Sequence, residues 1–242
     1  MPFRRLPFQP QTRELAIPMR FYGQFSPPVD QFIFERYFRE RGRPGTYIEC
    51  GAFDGITESS CFVLAEALGW KAINIEASPM VFQKLTVNRP DATNLHLALS
   101  DRNGHVSFLH VHHPTHGVNF GNGSVQHQPE HRASLDAEGC SYSTHQVRAV
   151  TYRDLVQNIG LSEIELMVLD IEGHEMAALD GMEGSSVLPE VFCIEFGHIG
   201  LERLNSRMSS LGYEFDTISH ANAFYFRNDV ALTYKMSIGE RT

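Results

Sequence analysis

Cysteine is scarce in this chain. Cys50, Cys61, Cys140 and Cys193 are the only four in 242 residues, and no two form a C-x-x-C pair. That spacing excludes a disulfide framework and points to a reduced, cytoplasmic protein. Cys50 and Cys193 fall inside apolar segments, where a thiol acts as a small hydrophobe. Positive charge is also short. Twenty Lys and Arg stand against 29 Asp and Glu, a formal charge of −9. Binding a phosphate backbone needs a concentrated basic face, so nucleic acid is not the expected partner. The basic residues between Arg36 and Arg43 read as a solvated helix end. No apolar run reaches the roughly 20 residues of a membrane span. Prolines interrupt Met1 to Pro10, so no signal-peptide core is expected there. The single tryptophan, Trp70, precedes a strand and reads as core packing.

Length and composition fit one large α/β domain carrying an arm. The expected layout is an N-terminal arm and helix over residues 1–45 and a main domain over 46–228. A long loop is expected at 112–146 and a tail at 229–242. The arm would serve subunit exchange in a homo-oligomer or cover the site; Gln24, within it, is expected to close over a cofactor.

The organising stretch is Tyr47-Ile48-Glu49-Cys50-Gly51-Ala52-Phe53-Asp54-Gly55. A short apolar strand ends in an acid, glycines supply a tight turn, and a helical segment follows. About 25 residues on, Ala72-Ile73-Asn74-Ile75-Glu76 is a second strand closed by an acid. In nucleotide-binding α/β folds such a carboxylate takes the ribose hydroxyls. Dehydrogenases usually show G-x-G-x-x-G here; the acid-first E-x-G-x-x-x-G favours S-adenosylmethionine over a dinucleotide.

Further strands are expected at Asn94–Leu99, His105–Val111, Glu163–Asp170 and Glu190–Glu195, with a closing pair at Tyr213–Ser219 and Ala221–Arg227. Helices are expected at Pro28–Arg41, Thr57–Leu68, from Pro79 behind the Ser78 cap, from Thr151, and at Met176–Gly181 and Gly200–Leu211. Alternating strands and helices imply a mostly parallel sheet covered on both faces. Glu49, Glu76, Asp170 and Glu195 then end four strands on one rim, where ligands of such sheets bind. Residues 112–146 lose apolar periodicity and gather glycine, serine and histidine. They read as a lid or a polar acceptor-binding loop. At its start His110 and His112 would face one side of a strand, a chelating spacing that brings zinc to mind without a cysteine or HExxH partner.

From about Phe21 to Arg227 the chain resembles the FkbM family of S-adenosylmethionine-dependent O-methyltransferases. The residues that carry the likeness are the glycine turn, Gly69-Trp70, Ile75-Glu76-Ala77-Ser78-Pro79, Asn88-Arg89, Ala98-Leu99-Ser100-Asp101 with Gly104, Asp170-Ile171-Glu172-Gly173-His174-Glu175, Ile194-Glu195-Phe196 and Leu211-Gly212-Tyr213. The resemblance implies a Rossmann-like class I methyltransferase sheet of seven strands, the last antiparallel. It implies cofactor contacts from Glu49, Gly51, Ala52, Phe53, Asp54, Gly55, Glu76, Ala77, Ser100 and Asp170. Many relatives carry a lysine two residues before the aspartate of the D-x-E-G-x-E turn; here that position is Val168.

Methyl transfer to a hydroxyl needs alignment of the acceptor and removal of a proton, by a base or with a metal ion. Asp170 is the foremost candidate on the catalytic face, against a role in capping the turn. Glu172 can touch the acceptor or brace the turn, and Glu175 reads as a helix-start acid. His174 and His198 are candidate bases. By analogy with metal-dependent O-methyltransferases, Asp170, Glu195 and His198 would hold Mg2+ or Mn2+. The expected acceptor is a hydroxyl of a sugar, glycan or related secondary metabolite. The competing readings are a nicotinamide-dependent oxidoreductase and a non-catalytic nucleotide- or glycan-binding module.

Overall fold

The computed structural model describes residues 19–118 and 120–239, so the first eighteen residues of the expected arm and the end of the expected tail lie outside the described residues. Ten strands and eight α-helices are assigned in it. In chain order they begin with helix α1 (Val29–Ile33), which continues as a π-helical turn at Phe34–Phe38. The single helix expected for Pro28–Arg41 therefore widens midway. Phe34, Tyr37 and Phe38 are all buried there, and a wider turn brings all three into one aromatic cluster. Then follow β1 (Thr46–Cys50), α2 (Phe62–Leu68), β2 (Lys71–Glu76) and α3 (Pro79–Asn88). Next are β3 (Thr93–His96), β4 (Ala98–Leu99), β5 (Gly104–His112), α4 (Pro129–Ala137) and β6 (Ser141–Val150). The remainder is α5 (Tyr152–Ile159), β7 (Leu166–Leu169), α6 (Glu175–Asp180), β8 (Val191–Glu195), α7 (Leu201–Ser210), β9 (Tyr213–Ser219), β10 (Asn222–Arg227) and α8 (Ala231–Gly239).

Seven strands form one sheet in the order β3-β2-β1-β7-β8-β10-β9. All neighbouring pairs are parallel except those of β10, which runs antiparallel to β8 and β9. This is the expected Rossmann-like class I sheet with helices on both faces and its last strand reversed. Period-two alternation explains the double cover. Ile48, Ile73, Met167 and Phe192 face one buried cluster with Tyr152, Leu155 and Leu204, while Tyr47, Ala72, Leu166 and Val191 face the other with Ile33, Leu64 and Trp70. Cys50 and Cys193 are buried and free, as small core residues. Chain order reverses at β1, between β2 and β7, which opens a crevice at its carboxyl end.

Two segments depart from the sequence reading. The strand expected over Asn94–Leu99 is split: β3 completes the edge of the large sheet, and β4 leaves it to pair with β6. The expected loop at 112–146 carries helix α4 and begins β6, which pairs antiparallel with β5 from Gly104↔Ala149 to His112↔Ser141. Neither has a strong local signature. Only Leu135 of α4 is buried, and the first half of β6 is polar on both faces. Pairing with β5 fixes that strand, not hydrophobic alternation. Strands β4, β6 and β5 make a second, three-stranded sheet. Among the described residues no helix is long and apolar enough to cross a membrane.

Candidate functional site

A cavity of about 500 Å3 opens where β1 meets the three-stranded sheet. That volume lies within the usual range of small-molecule sites. Its floor is the glycine turn. Gly51 takes φ +85°, and a Cβ there would collide with the Asp170 carbonyl oxygen, so only glycine lets β1 and β7 approach this closely. The amides of Gly51 and Ala52 both donate to the Ile75 carbonyl at 3.0 Å. Gly55, at φ +79°, packs against Arg89, whose Nη1 donates to the Gly55 carbonyl at 2.8 Å and whose Nη2 donates to the Tyr47 hydroxyl at 2.8 Å. Asn88 Nδ2 donates to the Asp54 carbonyl at 2.9 Å. The Asn88-Arg89 pair thus holds the turn from outside the cavity. Asp54 braces it locally, accepting from the Ile56 and Thr57 amides and the Thr57 hydroxyl.

Glu76 ties the second strand to the turn. Its carboxylate accepts from the Phe53 amide at 2.9 Å and the Ser78 amide at 2.7 Å. Burial nevertheless pushes its pKa up to about 7. Glu49 is buried likewise and is pushed up to about 7, with Ser59 Oγ and the Ser60 amide donating to it. Of the residues expected to touch a cofactor, Glu49, Gly51, Ala52, Phe53, Glu76, Ala77 and Asp170 line the cavity. Asp54 and Gly55 shape the turn from behind. Ser100 lies outside the lining, donating to Asp101 Oδ1 and meeting His174 Nε2 at 3.2 Å. Leu97, Ala98 and Leu99 line the cavity in its place. Gln24, from the arm, lines it too and donates to Glu58 Oε2 at 2.7 Å.

The opposite rim is acidic. Asp170, Glu172 and His174 line the cavity, whereas Glu195 and His198 stand behind them. Burial first, and then the crowding of neighbouring acids, raises both Asp170 and Glu195 well above the carboxylate range. Glu175 accepts from the Ile171 and Gly173 amides, the bracing expected of a helix-start acid. Glu172 sits at φ +56°, an unfavourable conformation for a side-chain-bearing residue, costing about 1–2 kcal/mol. Its Oε2 accepts from His198 Nε2 at 3.0 Å, which raises the His198 pKa, while burial lowers His174. The set Asp170, Glu195 and His198 expected for a metal is divided. Asp170 and Glu195 group with Glu172, and His198 groups with Glu172 and His131.

The cavity's other wall draws on the segment expected to be a lid or binding loop, although which of its residues face inward was not legible. Phe108, His110, His116, Phe120 and Asn122 line it from β5 and the segment after it. His110 and His112 do share one side of β5, their rings 4.9 Å apart, but His110 Nδ1 meets Ser78 Oγ at 2.9 Å and His112 Nε2 meets Ser143 Oγ at 2.8 Å. Burial pushes His110 down to about 4. The clustered histidines of residues 110–116 were the visible signal. Which of them faces a cavity depends on the β5–β6 register, which the sequence does not show. Val168, where relatives carry lysine, is buried and lines the cavity; no Lys or Arg lines it among the described residues.

The sequence pattern described as the methyltransferase FkbM domain matches residues 49–215, more than half of the chain. Among solved structures the chain is similar to a methyltransferase FkbM from Methylobacillus flagellatus KT. That match has a TM-score of 0.50 and 17% identity and covers 82% of this chain but 48% of the other. The chain therefore spans about half the length of that protein. A METTL16 methyltransferase domain also matches, with a TM-score of 0.47 and 7% identity, over 83% of this chain and 65% of the other. At 17% identity the first of these likenesses speaks to the fold alone. No curated protein sequence matches the chain.

Proposed function

The chain belongs to the FkbM methyltransferase family, and on that premise we propose that it moves the methyl group of S-adenosylmethionine to a hydroxyl of a sugar, glycan or related secondary metabolite. The observation that carries the reading is the cavity at the carboxyl end of β1, where the Gly51 turn and Glu76 meet. Each Glu76 oxygen takes one backbone amide and keeps a lone pair for a ribose hydroxyl. The bare Gly51 turn lets Asp170 close in on the cavity floor beside Glu76. These residues fit the cofactor. When bound, it supplies a methyl group already activated by a sulfonium.

The chain's own part is binding, orientation and proton handling. Glu49, Gly51, Ala52 and Phe53 would take the amino-acid end, and Glu76, Ala77 and Leu97 to Leu99 the nucleoside. Asp170 faces the cavity with its affinity for protons raised, which suits it to take a hydroxyl proton near neutral pH. Glu172 and His174 would orient the acceptor, and His198 would act through Glu172. Phe120 and Asn122 supply an aromatic face and an amide on the acceptor side, a pairing suited to a polyhydroxylated ring. A divalent ion is no part of this reading.

Calorimetric titration with S-adenosylhomocysteine, with NADH as the competitor class, tests it. Micromolar binding of the sulfur nucleoside, lost in Glu76→Ala and absent for NADH, is the expected result. Binding of NADH alone would instead make the chain an oxidoreductase, and binding of neither would leave no cofactor site to defend.

A further inference from the structure

We propose that His131, Glu172 and His198 form a binding site for a divalent transition ion of the zinc, cobalt or iron kind, set at the rim of the cavity. The three come from separate parts of the chain: α4, the turn after β7, and the segment after β8. One ligand atom from each lies within 4.8 Å of the others. Glu172 Oε2 is 3.0 Å from His198 Nε2 and 3.6 Å from His131 Nδ1. Ligand atoms on a tetrahedral zinc with bonds of about 2.0–2.1 Å stand about 3.3 Å apart, so small side-chain movements and transfer of the hydrogen from His198 Nε2 to Nδ1 or to solvent separate this arrangement from coordination.

The tautomer of His131 is the second observation. Its Nε2 meets the Asn122 side-chain oxygen at 3.0 Å, so this nitrogen carries the hydrogen. Nδ1 is then a bare lone pair. It is buried without a hydrogen-bond partner, on a side chain only 10% exposed, and faces the Glu172 oxygen that already accepts from His198. Two acceptors aimed at each other want a cation between them. Asn122 is itself held, its carbonyl meeting His127 Nε2 at 2.7 Å. A ligand histidine oriented through its second nitrogen is the usual outer support of a metal site. The parallel rings of His131 and His198, centroids 4.3 Å apart, present both nitrogens to the same carboxylate.

Two imidazoles and one carboxylate favour a borderline ion over Mg2+ or Ca2+, which take oxygen ligands. The other histidine-bearing group, His113 with Glu138 and Cys140, is less prepared. His113 Nδ1 accepts from the Thr115 and His116 amides, so its Nε2 carries the hydrogen toward Glu138. Glu172 belongs to both the triad and the cavity wall, so an ion held there would stand one side chain from an acceptor.

The test is titration of the full chain with Co2+, followed by visible absorption and by equilibrium dialysis, with no cofactor or acceptor present. One Co2+ per chain, bound at least tenfold more weakly by His131→Gln and by His198→Asn and unchanged in Cys140→Ser, is expected. Competition by Zn2+ but not by Mg2+ should accompany it. The site is refuted if the parent binds no Co2+, if both histidine variants bind as the parent does, or if Cys140→Ser abolishes binding. Because no methyl transfer is measured, this outcome is independent of the calorimetry with S-adenosylhomocysteine.

Discussion

The two walls of the cavity treat their polar groups in opposite ways. On the glycine-turn wall each buried acid has donors: Glu49 takes Ser59 and Ser60, and Glu76 takes the Phe53 and Ser78 amides. On the histidine side, in the wall residue His110 and in His127 and His131 outside the lining, ring nitrogens go unanswered. His110 Nε2, His127 Nδ1 and His131 Nδ1 are all buried without a partner. A satisfied network is rigid and keeps one geometry, while an unanswered buried group holds free energy that a ligand can release. Under the proposed function, the contrast fits a wall built for one constant cofactor facing a wall left open for the acceptor.

The largest effect should come from filling the glycine wall. Gly51→Ala puts a methyl group against the Asp170 carbonyl oxygen at a φ of +85°. Backbone cannot yield there as a side-chain tip would. Overpacking together with left-handed strain should cost at least about 3 kcal/mol and abolish nucleoside binding. Urea unfolding of parent and variant reads the cost directly. A loss below about 1 kcal/mol would mean that the turn is loose and the described contrast is wrong.

Next comes pH, because the walls hold protons in opposite senses. Glu49 is raised to about 7 in the folded chain, against about 4.3 unfolded. Its contribution is full below the unfolded value and is lost as pH rises through 7. His110 is lowered to about 4, against about 6.5 unfolded. Its contribution is full above 6.5 and is lost as pH falls through 4. Between about pH 4.5 and 6.5 the two slopes oppose each other, each near 1.4 kcal/mol per unit. Glu49→Gln should therefore make stability fall more steeply toward acid than in the parent. His110→Asn, which keeps an acceptor for the Ser78 hydroxyl, should do the reverse. Urea midpoints from pH 4.5 to 7.5 would show the split, and equal slopes in both variants would remove it.

The same division governs how much could be read before the structure. Everything from Thr46 to Asn88 depends on near neighbours: alternation of Tyr47 and Ile48, glycine at 51 and 55, the Ser78 cap before Pro79. These signals are local, so the strand, the turn and the acids that line the cavity were legible. The rest is set by contacts far apart in the chain. Nothing near Ser141–Gln146 marks a strand, because its partner is β5 some 35 residues away. Ser100 carries the family pattern yet leaves the cavity, since β4 turns toward the small sheet one residue earlier. His198 was expected on the rim from its distance to Glu195 but stands behind the lining, and its bond to Glu172 and its stacking on His131 from α4 depend on the tertiary fold. Polar groups that meet across elements have no periodicity to betray them.

The smallest expected effect isolates the comparison at a single methyl group. Gly121 lies across the cavity from Gly51, at ordinary φ, and a Cβ on it would meet nothing closer than Phe53 Cδ2 at 4.0 Å. Gly121→Ala asks of the histidine wall what Gly51→Ala asks of the glycine wall. With space available and no strained dihedral, the added methyl mainly narrows the unfolded ensemble, worth about 0.4–1 kcal/mol in favour of the folded state. Stability should be unchanged or slightly raised, and binding of S-adenosylhomocysteine should stay within about twofold of the parent. A large loss of stability would show that this wall is as tightly built as the other, and that its unpartnered histidines are not openings for a ligand.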